Sequence, residues 1–355
     1  MINVAIAGRG GIGTKPGGRT AFVLFVLACG LIQTSFAQPR GPGIDHRSFV
    51  PAGGIDQWVS IQGQDRRNPV LLVVHGGPGE SQWPVADRYA PWQTAFTVVL
   101  WDQRGAGHTY GRYGSQTPAF SLDRIAGDGI EVTEYLRRTL GKKNVIVLGH
   151  SWGSIVAVEM VQRRPDLFAA YVGTGQVASW EATSKLQFDL ALSKARQDGD
   201  ASAIAKLEAT GRPDPKDPKR AFSVDLRQAM APADRAWIQL LRAEAPALRA
   251  AHPQDFQDFQ DGFQFSATRA LPDQMKIDLP KTARTFAVPF FVIQGRDDVM
   301  TPTQATVAYF DAVTAPTKKL VVIPEAGHFA FMTSPTAFLA ALTSTVRPVA
   351  VANGA

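Results

Sequence analysis

The chain has 355 residues, 45% of them hydrophobic and 19% charged, with a formal net charge of +6. That balance describes a globular chain rather than a disordered one, and the absence of a basic stripe interleaved with aromatics argues against a nucleic-acid partner. Half of the excess charge lies in residues 1–37, where Arg9, Lys15 and Arg19 stand without an acidic residue, and the one cysteine, Cys29, permits no internal disulfide.

Residues 1–37 read as a secretory signal peptide. The basic residues form its n-region, Ala21–Ile32 an apolar stretch broken only by Gly30, and Ser35-Phe36-Ala37 a small-x-small cleavage site. The apolar stretch is about a dozen residues, short of the ~20 that span a bilayer. Cleavage after Ala37 would leave an exported chain, periplasmic or secreted, with no stable membrane association. Two rival fates are lipid anchoring through Cys29, since Val26-Leu27-Ala28-Cys29 loosely resembles a lipoprotein box, and anchoring by an uncleaved leader. Gly8, Gly10 and Gly13 spell GxGxxG, but Lys15-Pro16-Gly17-Gly18 breaks the helix that a dinucleotide fingerprint needs, so no nucleotide cofactor is read from it.

Residues 38–44 are rich in Pro and Gly and read as a linker. From residue 57 onward, short apolar runs alternate with helical patterns. Val70–His75, Phe96–Trp101, Val145–Leu148, Ala169–Val172, Phe290–Ile293 and Leu320–Ile323 are continuous Val/Ile/Leu/Phe-rich runs, the pattern of strands covered on both faces. Helices are expected near 122–140, 152–163, 302–314 and 335–345. Alternating strands and helices imply an α/β fold with a mostly parallel sheet and right-handed crossovers. Between about 176 and 285 the alternation stops, and the chain turns Ala-, Asp- and Gln-rich, with helical periodicity near 184–197, 201–210 and 233–248. The expected organisation is therefore a core in two parts, 38–175 and 286–350, with a helical cap over 176–285. An insertion after a central strand lies at the carboxyl ends of the strands, where open α/β sheets bind ligands.

Gly149-His150-Ser151-Trp152-Gly153 is a G-x-S-x-G between a strand and a helix, the context of a nucleophile elbow. The sharp turn forces the serine backbone into strain, leaves room only for glycine at the flanks, and presents the hydroxyl at a helix N-terminus. His75-Gly76-Gly77-Pro78-Gly79 ends an earlier strand and can aim a backbone N–H at an oxyanion; Gly77 is the favoured donor, Gly76 the alternative, with Trp152 N–H as the second. A phosphate loop would need a following Gly-Lys-Ser/Thr, which is missing. In the order serine, acid, base, His328 is the candidate base, because His252 is the one other histidine after Ser151 and it sits in a polar stretch of the insertion. Asp297 and Asp298, after the run ending at Gln294, are both placed to reach a histidine ring. No cluster has metal-ligand spacing, and the chemistry calls for no cofactor.

Taken together, HGGPG at 75–79, WDQRGAGHTYG at 101–111, GHSWGS at 149–154, GRDD at 295–298 and AGH at 326–328 resemble the proline iminopeptidase branch of the α/β-hydrolase superfamily, over about residues 55–175 and 286–345. The resemblance implies the α/β-hydrolase fold and puts the acid on the last residue of the Gly-Arg-x-Asp pattern, Asp298. It also implies structural roles for Asp102 and Arg104. Members of that branch use cap glutamates to bind the substrate's free amino group, and Trp180-Glu181 resembles such an element, which makes Glu181 a candidate; equally, an acid is simply favourable in the first turn of a helix. The expected activity is acyl transfer to water on a small peptide, with a small acyl ester, lactone or amide as the alternative substrate, and a catalytically dead binding protein as the reading that an intact triad disfavours.

Overall fold

In the computed structural model, which describes residues 41–214 and 224–355, the apolar runs become strands of one eight-stranded sheet; five are inner, whereas Leu320–Ile323, expected to be covered on both faces, lies in the partly exposed edge strand. The strands are β1 (Ile44–Ala52), β2 (Ile55–Gly63), β3 (Val70–Val74), β4 (Thr97–Trp101), β5 (Val145–His150), β6 (Phe168–Thr174), β7 (Phe290–Gly295) and β8 (Lys318–Ile323). Their spatial order is β1-β2-β4-β3-β5-β6-β7-β8, parallel from β4 to β8. The leader reading, Cys29 included, falls outside the described residues.

Every residue of β3 to β7 is buried. Along β3 the side chains alternate between two hydrophobic clusters: Val70, Leu72 and Val74 join one, Leu71 and Val73 the other. Both faces are therefore core, which is why the run carries no polar alternation. Each such side chain contributes roughly 1.5–3 kcal/mol of burial.

Two elements depart from the sequence reading. β1 and β2 form an antiparallel hairpin directly after the expected linker, over a stretch where no strand was expected. β1 (IDHRSFVPA) lies at the sheet edge with mixed exposure, so its apolar signal is weak. Gly53 and Gly54, both at positive φ (60° and 75°), make the two-residue turn, and a Gly-Gly pair between extended residues was the available cue.

Helices cover both faces. Short helix α1 (Gly107–Tyr113) precedes α2 (Leu122–Leu140), which is capped by the Ser121 hydroxyl accepting from Arg124 N and ended by Gly141 at φ 65°. α3 (Trp152–Arg163) follows β5. Between β6 and β7 lie α4 (Trp180–Asp198), α5 (Ala201–Thr210), α6 (Pro232–Ala251) and α7 (Pro253–Gln274); with the rest of the described residues they form one compact unit. α7 is the second unexpected element. Its inward face is Phe256, Gly262, Ser266 and Ala270, and Ser266 Oγ donates to Gly105 O at 2.7 Å. A face of small residues packs closely yet has little hydrophobic periodicity. α8 (Thr303–Ala312) and α9 (Pro335–Ala341) complete the second part of the core.

Arg104, fully buried, ties the early core together. Its guanidinium donates to Asp128 Oδ2 (2.8 Å) and Oδ1 (3.1 Å), to Gly53 O (2.8 Å) and to Pro118 O (2.6 Å). Arg124 also bonds Asp128, at 2.8 Å. Removing one member of a buried ion pair strands its partner in a low-dielectric interior. Arg104→Gln is expected to cost about 3–5 kcal/mol in urea denaturation; a loss below about 1 kcal/mol, the scale of an exposed pair, would show that Asp128 finds full compensation from Arg124.

Candidate active site

β5 runs straight into the elbow. Ser151 is the N-cap of α3 with φ 52° and ψ −120°, a left-handed backbone that costs a non-glycine residue about 1–3 kcal/mol. It is held by Ser151 N–H donating to Thr174 O (3.0 Å) and by its carbonyl accepting from Ser154 N (2.9 Å) and Ser154 Oγ (2.7 Å). The flanking glycines are sterically required. A Cβ on Gly149 would lie 2.4 Å from Gly153 O, and one on Gly153 would lie 2.0 Å from Val74 O.

The loop after β3 meets the elbow directly: a Cβ on Gly76 would stand 3.0 Å from Ser151 Cβ. Gly77 follows at φ 107°. Among the described residues, neither Gly77 N–H nor Trp152 N–H donates to a protein acceptor, so both remain available to an oxyanion. Gln103 ties the two together. Its amide donates to His75 O (2.9 Å) and accepts from the Trp152 indole (3.2 Å), while its N–H meets His75 Nε2 (3.2 Å). Asp102 accepts from Ser81 Oγ, from His108 N (2.9 Å) and from His108 Nδ1 (2.8 Å), which makes it a buried brace of the same loops.

His328 lies after β8, buried, with Nδ1 3.0 Å from Asp298 Oδ2. Asp298 accepts four further hydrogen bonds: Oδ1 from Met300 N (2.8 Å) and Thr301 N (2.9 Å), and Oδ2 from Gln294 Nε2 (2.9 Å) and Thr301 Oγ1 (2.7 Å). Asp297, by contrast, is exposed. Among the described residues no hydrogen bond joins Ser151 to His328. Burial works to lower the His328 pKa, but the charge and hydrogen bond of Asp298, and then the charges of Asp234 and Glu80, hold it above the ordinary imidazole value.

Asp234 and Glu80 were not foreseen. Asp234, buried on the first turn of α6, accepts from His328 N (2.6 Å) and Phe329 N (3.3 Å). The contact joins residues 94 apart, and no local pattern marks it. Desolvation raises the Asp234 carboxyl above its usual range, against the pull of the His328 N–H and charge. His150 supports the same loop from below, its Nε2 meeting His328 O at 3.2 Å.

Glu80 lines a cavity of about 240 Å³ together with His150 and a set of apolar side chains, among them Trp237, Leu241, Phe256, Phe259, Phe329 and Phe331. Burial pushes the Glu80 carboxyl up, with the charge of His328 acting the other way. Glu181 is placed elsewhere. It stands exposed on the first turn of α4, ion-paired one turn along with Lys185 at 2.6 Å, and it is not part of this lining.

A family described as the alpha/beta hydrolase fold matches residues 69–335. Over 325 residues the chain is 28% identical to the probable aminopeptidase YbaC of Bacillus subtilis, covering 87% of this chain and 98% of that protein. Among solved structures, the proline iminopeptidase-related protein of Thermus thermophilus superposes with a TM-score of 0.55 at 21% identity, over 87% of this chain and 98% of its own. A thermophilic esterase from Thermogutta terrifontis does so with a TM-score of 0.52 at 19% identity, over 86% and 99%. At those identities the two structures share the fold alone.

Proposed function

This chain belongs to the α/β-hydrolase family, and we propose that within it the protein works as a serine hydrolase of the proline iminopeptidase type, releasing N-terminal residues from small peptides. The observation that carries the chemistry is the strained Ser151 elbow beside the buried His328–Asp298 pair. The peptide substrate rests on the aminopeptidase relative, matched over nearly its whole length.

In this reading His328 Nε2 takes the Ser151 proton as Oγ attacks the scissile carbonyl. Nδ1–H stays on Asp298 Oδ2, which fixes the tautomer and stabilises the imidazolium. Negative charge builds on the carbonyl oxygen between the Gly77 and Trp152 N–H groups, donors worth about 3 kcal/mol each. Collapse expels the amine, which receives the proton from His328. Water, deprotonated by the same ring, then attacks the acyl-enzyme and releases Ser151. A panel of aminoacyl amides against acyl esters tests the substrate class. Hydrolysis of the amides supports the peptidase; turnover of esters with none of aminoacyl amides rejects it in favour of an esterase.

Asp234 enters this scheme as a positioning residue, since it holds the peptide of the base rather than any reacting atom. Asp234→Ala is expected to lower kcat about 10- to 100-fold, the size of effect a misplaced catalytic group produces, while KM moves little. The pH profile separates positioning from mere loss of structure. His328 must be neutral to act, so activity falls as pH drops through its raised pKa. Removing the Asp234 charge lowers that pKa and should slide the acid limb to lower pH; an unmoved limb with a proportionate loss of folded protein would leave Asp234 a structural brace.

A further inference from the structure

The cavity beside the triad has an unusual charge balance. Its charged lining residues are Glu80, Arg242 and Glu244. Glu244 is neutralised by Arg88 at 2.7 Å, and Arg242 is exposed. Glu80 has neither an ion pair nor a side-chain hydrogen bond among the described residues, although it sits among aromatic rings. Glu80 is half-buried, so its carboxylate reaches some water, but the apolar lining beside it raises the cost of its charge and favours a cation as partner.

Its position narrows what that cation is. Glu80 N–H donates to Gly76 O at 3.1 Å, and Gly76 abuts Ser151. His150 and Phe329, the neighbours in sequence of Ser151 and His328, share the lining with Glu80. Glu80 and His328 also lie close enough for their charges to act on each other, so the carboxylate stands on the side of the cavity that adjoins His328. In an α-aminoacyl group the ammonium is two bonds from the carbonyl carbon, so its partner must stand at this end and not at Glu244. Ser81 and Gln82 adjoin Glu80, the rest of the lining is mainly apolar, with Trp237, Phe256, Phe259 and Phe331 supplying aromatic rings, and a space of about 240 Å³ exceeds the ~150 Å³ that accepts benzene.

We propose that this cavity is the subsite for a bulky apolar N-terminal residue, with Glu80, on the loop after β3, pairing with its free ammonium. The proposal rests on the aminopeptidase reading and deepens it: the amine is met from the core side of the cleft, not by Glu181, and the preferred residue is aromatic or branched aliphatic. Pairing with an ammonium favours the ionised form of Glu80, so that substrate and carboxylate satisfy each other.

The test uses the full chain and a probe that needs no peptidase activity. A fluorophosphonate labels Ser151, and 2-phenylethylamine or its neutral isostere 2-phenylethanol is added to compete. In the wild type the amine should protect Ser151 at a concentration at least tenfold lower than the alcohol. Glu80→Gln should bring the two to within about twofold, and labelling without competitor reports that the variant is folded. Equal protection by amine and alcohol in the wild type overturns the proposal even if the variant fails to fold, and so does a preference that survives Glu80→Gln. In parallel, Phe- and Leu-amidocoumarins should exceed Pro-amidocoumarin in kcat/KM by at least tenfold; a preference for Pro overturns the bulky-residue assignment. If no aminoacyl amide is cleaved while Glu80-dependent protection by the amine persists, the peptidase reading falls and the amine subsite stands.

Discussion

Ser151→Ala should lose turnover by a factor of about a million while the protein stays folded. In the proposed mechanism the hydroxyl is the nucleophile, and no neighbouring side chain can replace it: the flanking glycines carry none, Ser154 Oγ is spent on the Ser151 carbonyl, and His150 is buried. The fold should tolerate the change, because Ser151 is locked by its backbone N–H and C=O, and its hydroxyl bonds to no side chain among the described residues. A fluorophosphonate should label the wild type at this residue and leave the alanine variant untouched. Residual activity near the wild-type level, or labelling that persists in the variant, would remove Ser151 from the mechanism. His328→Ala should lose a comparable factor, since nucleophile and base act as one unit whose deletions do not add.

The second large effect separates two adjacent aspartates. Asp298→Asn should reduce kcat by about 10^3- to 10^4-fold, because an amide in place of Oδ2 presents N–H toward His328 Nδ1 or loses the charge that stabilises the imidazolium. The loop also suffers: Asp298 accepts from Met300 N, Thr301 N, Thr301 Oγ1 and Gln294 Nε2, and an amide cannot accept at both ends. Asp297→Asn should stay within about twofold of wild type, as expected of an exposed side chain. Steady-state kinetics of the two variants on one substrate decides the matter, and a larger loss at Asp297 would reassign the acid.

How much of this was legible beforehand depended on whether the signal was local. The strands with both faces in the core announce themselves as unbroken apolar runs, and the elbow as glycines spaced around a serine, because each constraint acts within a few residues. The hairpin of β1 and β2 was obscured by an edge strand that keeps polar residues on display, and α7 by an inward face built from Gly262, Ser266 and Ala270. Glu80 and Asp234 were invisible for a different reason. One is a lone acid after a glycine loop and the other an ordinary first-turn helix residue; only the closing of the insertion onto the core gives either a meaning. Glu181 shows the limit of a local cue: a Trp-Glu pair at a helix start does not reveal that the side chain stands exposed and pairs with Lys185 one turn along.

The bond from Asp234 to the backbone of His328 also sets a thermodynamic condition on the insertion. The bond is shared, so whatever free energy the seated α6 contributes to holding His328, the seated His328 contributes equally to holding α6. A ligand that draws the insertion down must sharpen the placement of His328, and a group that binds at His328 must tighten the insertion to an equal degree. The same helix carries Trp237 into the lining of the cavity, so one element serves both the cavity wall and the backbone of His328.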